Sequence, residues 1–480
     1  MLRANGVARD GQGDYSDEMA DAHSLKASEG PSELRATVSL AIPVVAVQLG
    51  FMMMGAVDTL MVGRVSAPML AAVALGNLYF FNVSIFGMGT LMALDPLVSQ
   101  AIGAGDSDAV PRTVQRGLVV ALGLSIVTAL LLGVAEPVLR AFRQPDEIVP
   151  GAARYLHISI AGVVPYLGFV VLRQSLQAMH RVAPMVWTMA ISNLANVGLN
   201  WILIYGNLGS PALGVTGSAI ATAISRWLMM LLLLAIAWRE LRPNLRPFRH
   251  DVLEWASIRR MLAIGVPIGA QQSLESAAFG AIGLLMGVLG TIDMAAHQIA
   301  ITLAAMTFMV PLGVGSAAAV RVGHAVGAGD EGRARAAIRA AYLCGVGFMM
   351  VAAVVFLAFP HALASAFTAD QRVVALAVVL IPIAGVFQVF DGGQAVGAGV
   401  LRGAGDTTAP LIVMLAAYWL IGVPTSAYLG FKTSLRASGL WWGFVVSLAT
   451  VAFFLYLRIR FVFKRGVSRL AVEPSLAADS

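Results

Sequence analysis

Four acidic side chains interrupt stretches otherwise made for lipid. Asp58 lies in FMMMGAVDTLMVGR, Asp95 in LMALDPLVSQ, Glu275 in IGAQQSLESAAFG and Asp391 in IPIAGVFQVFDGGQAVGAGVLRGAGD. An ionised side chain at mid-membrane costs about 2.5–3.5 kcal/mol on insertion scales, so such residues face protein or water-filled cavities and mark ion or substrate paths. Burial disfavours a carboxylate, and a bound cation restores it. A buried carboxyl can therefore trade a proton for Na⁺ or for an organic cation. Asp391 is the plainest case, with no Lys or Arg within two helical turns of it. Asp58, Glu275 and Asp391 are accordingly expected to couple cation or proton movement, and Glu275 with Asp391 is the pair able to hold Na⁺.

Each acid also has a plainer reading. Asp391 as a neutral carboxyl could serve as packing glue, bonded to a backbone carbonyl. Asp58 lies near the end of its apolar stretch, where Thr59 or Arg64 would partner it. Asp95 precedes Pro96, and Asp at an N-cap with Pro at N1 restarts a helix, so structure is the favoured reading there. Glu275 has Gln271 one turn before it on the same face, a polar patch rather than a stray acid. Asn193, Asn196 and Asn200 fall at i, i+3 and i+7, one polar stripe that either lines a cavity or bonds neighbouring helices. Gln48 and Gln394 stand in the same position. Met52, Met53 and Met54 read as lipid contact or packing, and Cys344, the single cysteine, as helix packing. The candidate cavity residues are Gln48, Asn193, Asn196, Gln271, Phe387 and Gln394. The seven histidines form no HExxH and no nucleophile–base set is legible, so no enzyme and no cofactor is expected beyond a coupling ion.

The elements that must position these residues are membrane helices. The chain is 58% hydrophobic and 12% charged, with a mean hydropathy of +0.80. A soluble domain carries about 25% charged residues, and this chain cannot bury its apolar surface in a globule. Runs of about 20 apolar residues give twelve spans at 39–62, 70–102, 114–137, 153–178, 183–205, 214–238, 259–289, 294–321, 335–359, 373–401, 408–429 and 438–460. Pro43, Pro96, Pro165, Pro267, Pro311 and Pro382 inside them predict kinks. The net charge of +6 sits in short loops, which reads as topology rather than nucleic-acid binding. Arg239, Arg242, Arg246, Arg249, Arg259 and Arg260 crowd one connection, and 206–213 and 290–293 carry no Lys or Arg. The positive-inside rule then places both termini in the cytoplasm.

The chain also repeats itself. AIGAGD at 101–106 returns as AVGAGD at 325–330, an offset of 224, and AP at 183–184 returns at 409–410, an offset of 226. The expected organisation is a cytoplasmic disordered tail (1–38), a six-helix lobe (39–238), a basic cytoplasmic linker (239–258), a second six-helix lobe (259–460) and a C-terminal tail (461–480). Six spans per half leave both halves in one orientation, with a cargo site between two lobes.

Several motifs together resemble the multidrug and toxic compound extrusion (MATE) family. They are VDTLMVGR and LAAVALG within 43–76, PLVSQAIGAGD at 96–106, SNLANVGLNWILIYG with LGVTGSAIATAISRW, AAHQIAI with VPLGVGSAAAVRVGHAVGAGD, and FQVFDGGQAVGAGVLRGAGDTTAP. The resemblance covers about 39–460 and implies a twelve-helix exporter of cationic amphiphiles, driven by Na⁺ or H⁺. An acid on the first span, a Glu on the seventh and an Asp on the tenth look like the NorM branch, and fall here on Asp58, Glu275 and Asp391. That branch often has Tyr one turn before the tenth-span Asp as a cation ligand. Phe387 stands there, offers no oxygen, and favours H⁺. The resemblance implies a multi-pass protein of the bacterial cytoplasmic membrane that takes organic cations; the placement of charge in short loops points to no nucleic-acid partner, and a self-contained two-lobe cleft is most simply read as a monomer. A lipid-linked precursor flippase is the alternative, disfavoured because the candidate cavity residues are acids and amides rather than cations.

Overall fold

The computed structural model describes residues 31–470, and those residues contain helices and no strand. The tails at 1–30 and 471–480 lie outside the described residues. Twelve long helices follow in order: α1 (Pro31–Gly63), α2 (Ala67–Gly103), α3 (Ala109–Gly133), α4 (Val149–Ala178), α5 (Ala183–Tyr205), α6 (Val215–Ile236), α7 (Trp255–Leu289), α8 (Thr291–Gly327), α9 (Glu331–Ala358), α10 (Gln371–Gly403), α11 (Thr408–Lys432) and α12 (Ala437–Arg465). The helix α1 starts at Pro31, so residues 31–38 extend the first span rather than the tail. Helix α12 likewise runs to Arg465, past the expected boundary at 460. Eleven of the twelve are long and apolar enough to cross a membrane on composition alone. The exception, α5, is a 23-residue helix that carries Asn193, Asn196 and Asn200, and those amides lower its hydropathy.

Proline breaks helices where its ring meets the carbonyl one turn earlier. In α2 the break falls at Met92 and Ala93, before Pro96, and the helix restarts at Leu94. In α4 a 3₁₀ turn at Ile160–Gly162 precedes Pro165. A π-turn at Ala416–Gly422 interrupts α11, and such bulges are frequent at functional sites.

The repeated GAGD segments are helix stops. Gly105, Gly329 and Gly405 take φ of 71°, 68° and 84°, the left-handed region that glycine enters without a Cβ penalty. In each copy the following aspartate amide donates to a carbonyl five residues back, and its carboxylate accepts a backbone N–H three residues on: Asp106 from Ala109, Asp330 from Arg333, Asp406 from Ala409. The same turn recurs between α4 and α5, with His180 at φ 60° in the glycine position.

Helices α1–α6 pack mainly on one another, as do α7–α12, and the two groups meet along a seam where α1 and α2 face α7 and α8. The seam is tightest towards the end that carries both termini. There a Cβ on Gly89 would lie 2.8 Å from the Cα of Gly269, and one on Gly103 would strike the carbonyl of His324. Small residues allow such close helix contact. Across the seam Ser276 donates to Asn82 (3.0 Å) near mid-depth, Gln100 to the carbonyl of Gly403 (2.9 Å), and Arg321 pairs with Glu33.

Candidate ion-coupling site

The acids separate into two clusters, one inside each lobe. In the first, Asp58 of α1 is 1% exposed. Its Oδ1 accepts from Asn200 Nδ2 (2.6 Å) and its Oδ2 from Thr222 Oγ1 (2.5 Å), so α5 and α6 supply the donors. Asn196 Oδ1 accepts a second bond from Asn200 (3.2 Å). Arg226 acts electrostatically on Asp58 while its guanidinium lies 3.7 Å above the ring of Phe80. The expected partners do not serve: Thr59 bonds the carbonyl of Gly55, and Asp58 takes its hydrogen bonds from Asn200 and Thr222 instead of Arg64. Thr59, one position on, and Arg64, six positions on, lie about 100° and 120° around α1 from a carboxyl that the tertiary fold turns towards α5 and α6.

In the second cluster, Glu275 of α7 is half-buried on the seam. Its Oε1 accepts from Gln394 Nε2 of α10 (2.6 Å) and, at 3.4 Å, from the Tyr418 hydroxyl of α11. The single proton of that hydroxyl goes chiefly to Gln394 Oε1, the shorter contact at 2.6 Å, which leaves its oxygen beside Glu275. Asp391 is 3% exposed, lies within electrostatic range of Glu275, and its Oδ1 has no hydrogen-bond partner. Neither acid has a basic group among its recorded partners. One carboxyl is tethered and the other is left without a counter-charge.

The remaining candidates divide. Asn196 and Gln394 belong to the two clusters. Asn193 bonds back to the carbonyl of Met189 on its own helix (2.9 Å) and leaves Oδ1 unpartnered. Gln48 is half-buried and Gln271 buried, and neither bonds an acid. Phe387 is fully buried, with ring centroids of Trp441, Phe444 and Phe279 at 5.3, 5.2 and 6.0 Å. It is a packing residue behind Asp391 rather than part of a cavity wall. Asp95 is not an N-cap: Ala93 holds that position without a side-chain cap bond, and the Asp95 carboxyl faces the other lobe. An open hollow lined by Glu136, Arg154 and His157 lies at the end away from the termini, apart from both clusters.

Three residues of these clusters escaped the sequence reading. Thr222, Asn200 as a direct partner of an acid, and Tyr418 all sit in apolar spans, where a hydroxyl or amide is unremarkable until its neighbour across the lobe is known. Tyr418 matters most. It brings a phenol oxygen to Glu275 from α11, in place of the one that Phe387 lacks on α10. The argument that Phe387 set against Na⁺ loses its force.

The MatE family model matches residues 43–202 and 267–428, one copy in each lobe. The chain belongs to the MatE family. Its relatives include a probable multidrug resistance protein NorM of Rhizobium meliloti, 37% identical over 93% of this chain and 96% of that protein. Another is the multidrug resistance protein MdtK of Edwardsiella ictaluri, 34% identical over 90% of this chain and 96% of that one. Among solved structures, the eukaryotic MATE transporter AtDTX14 shares the fold with a TM-score of 0.83 at 24% identity, over 90% of this chain and 97% of that one. The two family segments lie one in each lobe, over α1–α5 and α7–α11, and contain Asp58, Asp95, Glu275 and Asp391. The MatE helices therefore supply the frame on which both clusters are built.

Proposed function

We propose that this MatE protein exports organic cations in exchange for H⁺ or Na⁺, with Glu275 and Asp391 as the exchange site. The carrying observation is the unpartnered carboxylate oxygen of Asp391 beside a second acid, with no basic partner to either among the described residues. A buried group in that condition takes up a cation or a proton, and two carboxyls sharing a site cannot both stay ionised without one. The names of the NorM and MdtK relatives support multidrug cargo. Arg-rich connections on the terminal side support a cytoplasmic location for both ends and a bacterial cytoplasmic membrane.

Transport follows from differential affinity, since a ligand shifts states only by binding one better than the other. With the terminal half of the seam closed, this reading has the lobes part on the far side. Entry of H⁺ or Na⁺ at Glu275 and Asp391 removes the negative charge that holds a cationic cargo, and cargo leaves. The loaded protein then reorients, and each charge moved inwards draws about 2.3 kcal/mol per 100 mV. For Na⁺ the ligand oxygens would come from Glu275, Asp391, Gln394 and Tyr418, hard oxygen donors of the kind such a cation takes. For H⁺ the same two carboxyls are the acceptors.

The test uses reconstituted vesicles that accumulate a fluorescent organic cation, with a pH gradient and a Na⁺ gradient imposed separately and the Asp391→Asn protein alongside. Accumulation driven by either gradient and lost in Asp391→Asn supports the reading. Accumulation by Asp391→Asn and Glu275→Gln proteins at the parent rate would sink it.

A further inference from the structure

Asp95 belongs to neither cluster, yet it is fully buried in the heart of the closed half of the seam. Its Oδ2 lies 3.5 Å from Nε of Arg402 on α10, in the opposite lobe. Neither carboxylate oxygen of Asp95 has a hydrogen bond, nor does Arg402 Nε, whose guanidinium otherwise reaches only the sulfur of Met92 (3.9 Å). The contact is thus held by charge alone. One turn further along α2, Ser99 packs against Gly323 and Gln100 bonds the carbonyl of Gly403, so the pair sits where the lobes meet most closely. A third charge completes the arrangement. Arg173 of α4, in the same lobe as Asp95 and 3% exposed, also acts electrostatically on Asp95.

We propose that Asp95 and Arg402 form an ionic lock that holds the terminal half of the seam shut, with Arg173 as the partner Asp95 keeps when the lobes part. Separating a buried ion pair normally strands an uncompensated charge at a cost of several kcal/mol. Here the two sides are unequal. Arg402 emerges into the water that fills the opened half. Asp95 stays in its lobe and retains Arg173. The lock can therefore break without leaving a bare buried anion. The absence of a hydrogen bond across it leaves little directional energy to lose. Closing would require Asp95 to be shared between its own arginine and the other lobe's. These are positioning residues: they set the balance between two states rather than bind cargo. The inference rests on the alternating-access reading above.

The experiment uses the full-length protein in lipid nanodiscs, with spin labels on Ser107→Cys and Arg335→Cys in a Cys344→Ala background. Both labelled positions are exposed, one in each lobe at the terminal end. Inter-label distance distributions are recorded with and without tetraphenylphosphonium, at acid and neutral pH, and with Na⁺. In the parent the short separation dominates and ligand moves the balance. Arg402→Gln, Asp95→Asn and the double neutral variant should each raise the long-to-short ratio at least about tenfold. Arg402→Lys should return it to near the parent's value. Arg173→Gln should shift the balance the other way, because Asp95 then loses its partner in the open state. A merely structural arginine would not change sign in this manner. The Arg402→Gln variant leaves Asp95 with Arg173, so it remains informative if a variant that removes Asp95, and so strands Arg173, does not fold. The lock is overturned if the double variant keeps the parent's distribution, or if Arg173→Gln opens the seam as Arg402→Gln does. If no condition moves the parent's distance, the transport reading fails and the lock with it. A parent that responds while its neutral variants do not respond differently refutes the lock alone.

Discussion

The two lobes carry their acids in opposite states. Asp58 is saturated: one oxygen accepts from Asn200, the other from Thr222, and Arg226 is near. The second cluster has two acids, one orphaned oxygen and no basic partner among the described residues. The backbone does not explain the contrast, since the turn at His180 repeats the one at Gly405, an offset of 225. The same offset carries Asp391 back onto Tyr166, which packs edge-on to Phe51 and Phe80 rings at 6.1 and 5.8 Å. A duplicated scaffold has therefore been given a saturated acid at Asp58 in one half and an unmet charge at Asp391 in the other, while Asp95 of the first half is met by arginines alone. On the proposed exchange reading the ion enters at the unmet charge, because a satisfied carboxyl gains little from binding one.

The sharpest way to break this contrast is to neutralise each acid in turn. Glu275→Gln and Asp391→Asn should each cut gradient-driven cation efflux by about a hundredfold, some 2.7 kcal/mol at the rate-limiting step, with unchanged protein in the membrane by immunoblot. Asp58→Asn should cost visibly less. Equal losses in the two lobes would show that the saturated site exchanges ions as readily as the open one.

Next in size is the stability of the saturated site. Thr222→Val removes the donor to Asp58 Oδ2 without changing side-chain shape. Leaving a buried acceptor unpaired costs about 1–3 kcal/mol, so thermal unfolding of the purified protein should occur several degrees lower. An unchanged midpoint would mean that the first lobe does not depend on holding its acid.

Tyr418→Phe sharpens the second lobe. Losing the hydroxyl that joins Gln394 and Glu275 removes about 1 kcal/mol of hydrogen bonding and should slow efflux roughly fivefold. If the phenol is a cation ligand, the Na⁺-driven rate falls more than the H⁺-driven one, and vesicle assays under separate gradients read the difference. Equal falls would confine Tyr418 to orienting Glu275.

The smallest effect is expected where a carboxylate meets water outside both lobes. Arg469 lies 2.6 Å from Asp106, and the Leu470 amide donates to Gln100 (2.8 Å), so the segment after α12 rests on the first lobe. The Arg469 hydrogen bond holds the Asp106 carboxyl below the ordinary carboxylate range. A depressed carboxyl keeps its contribution above the unfolded value and loses it as pH falls through the lowered one. Amide-exchange protection at Leu470 should hold from about pH 8 down to the ordinary carboxylate value near 3.8 and fail only below it, whereas Arg469→Gln should lower it slightly at neutral pH. A loss of protection near pH 6 would implicate a different group.

Much of this was legible in the chain. The twelve spans followed from apolar runs of membrane length, and the breaks in α2 and α4 from Pro96 and Pro165. The GAGD repeats announced both the duplication and the helix stops. Asp391 and Glu275 stood out because nothing nearby along the chain could neutralise them. Partners were not legible, since they come from helices far apart in sequence: Asn200 and Thr222 to Asp58, Gln394 and Tyr418 to Glu275, Arg402 to Asp95. Local spacing suggested Thr59, Arg64 and an N-cap in their place, and each gave way to a contact across the bundle. Phe387 was judged for the oxygen it lacks, when its burial among Trp441 and Phe444 makes it a wall behind the site.

What the sequence by itself determined is where the chain meets lipid, where it turns, that it does so twice, and which carboxyls are too costly to be incidental. Those are local properties, set by apolar length, by proline and glycine backbone chemistry, and by the price of charge in hydrocarbon. Only the tertiary structure decided which of those acids is satisfied, which is left open, and which reaches across the seam to an arginine of the other lobe. A buried charge takes its state from the groups packed around it, and here those groups come from other helices.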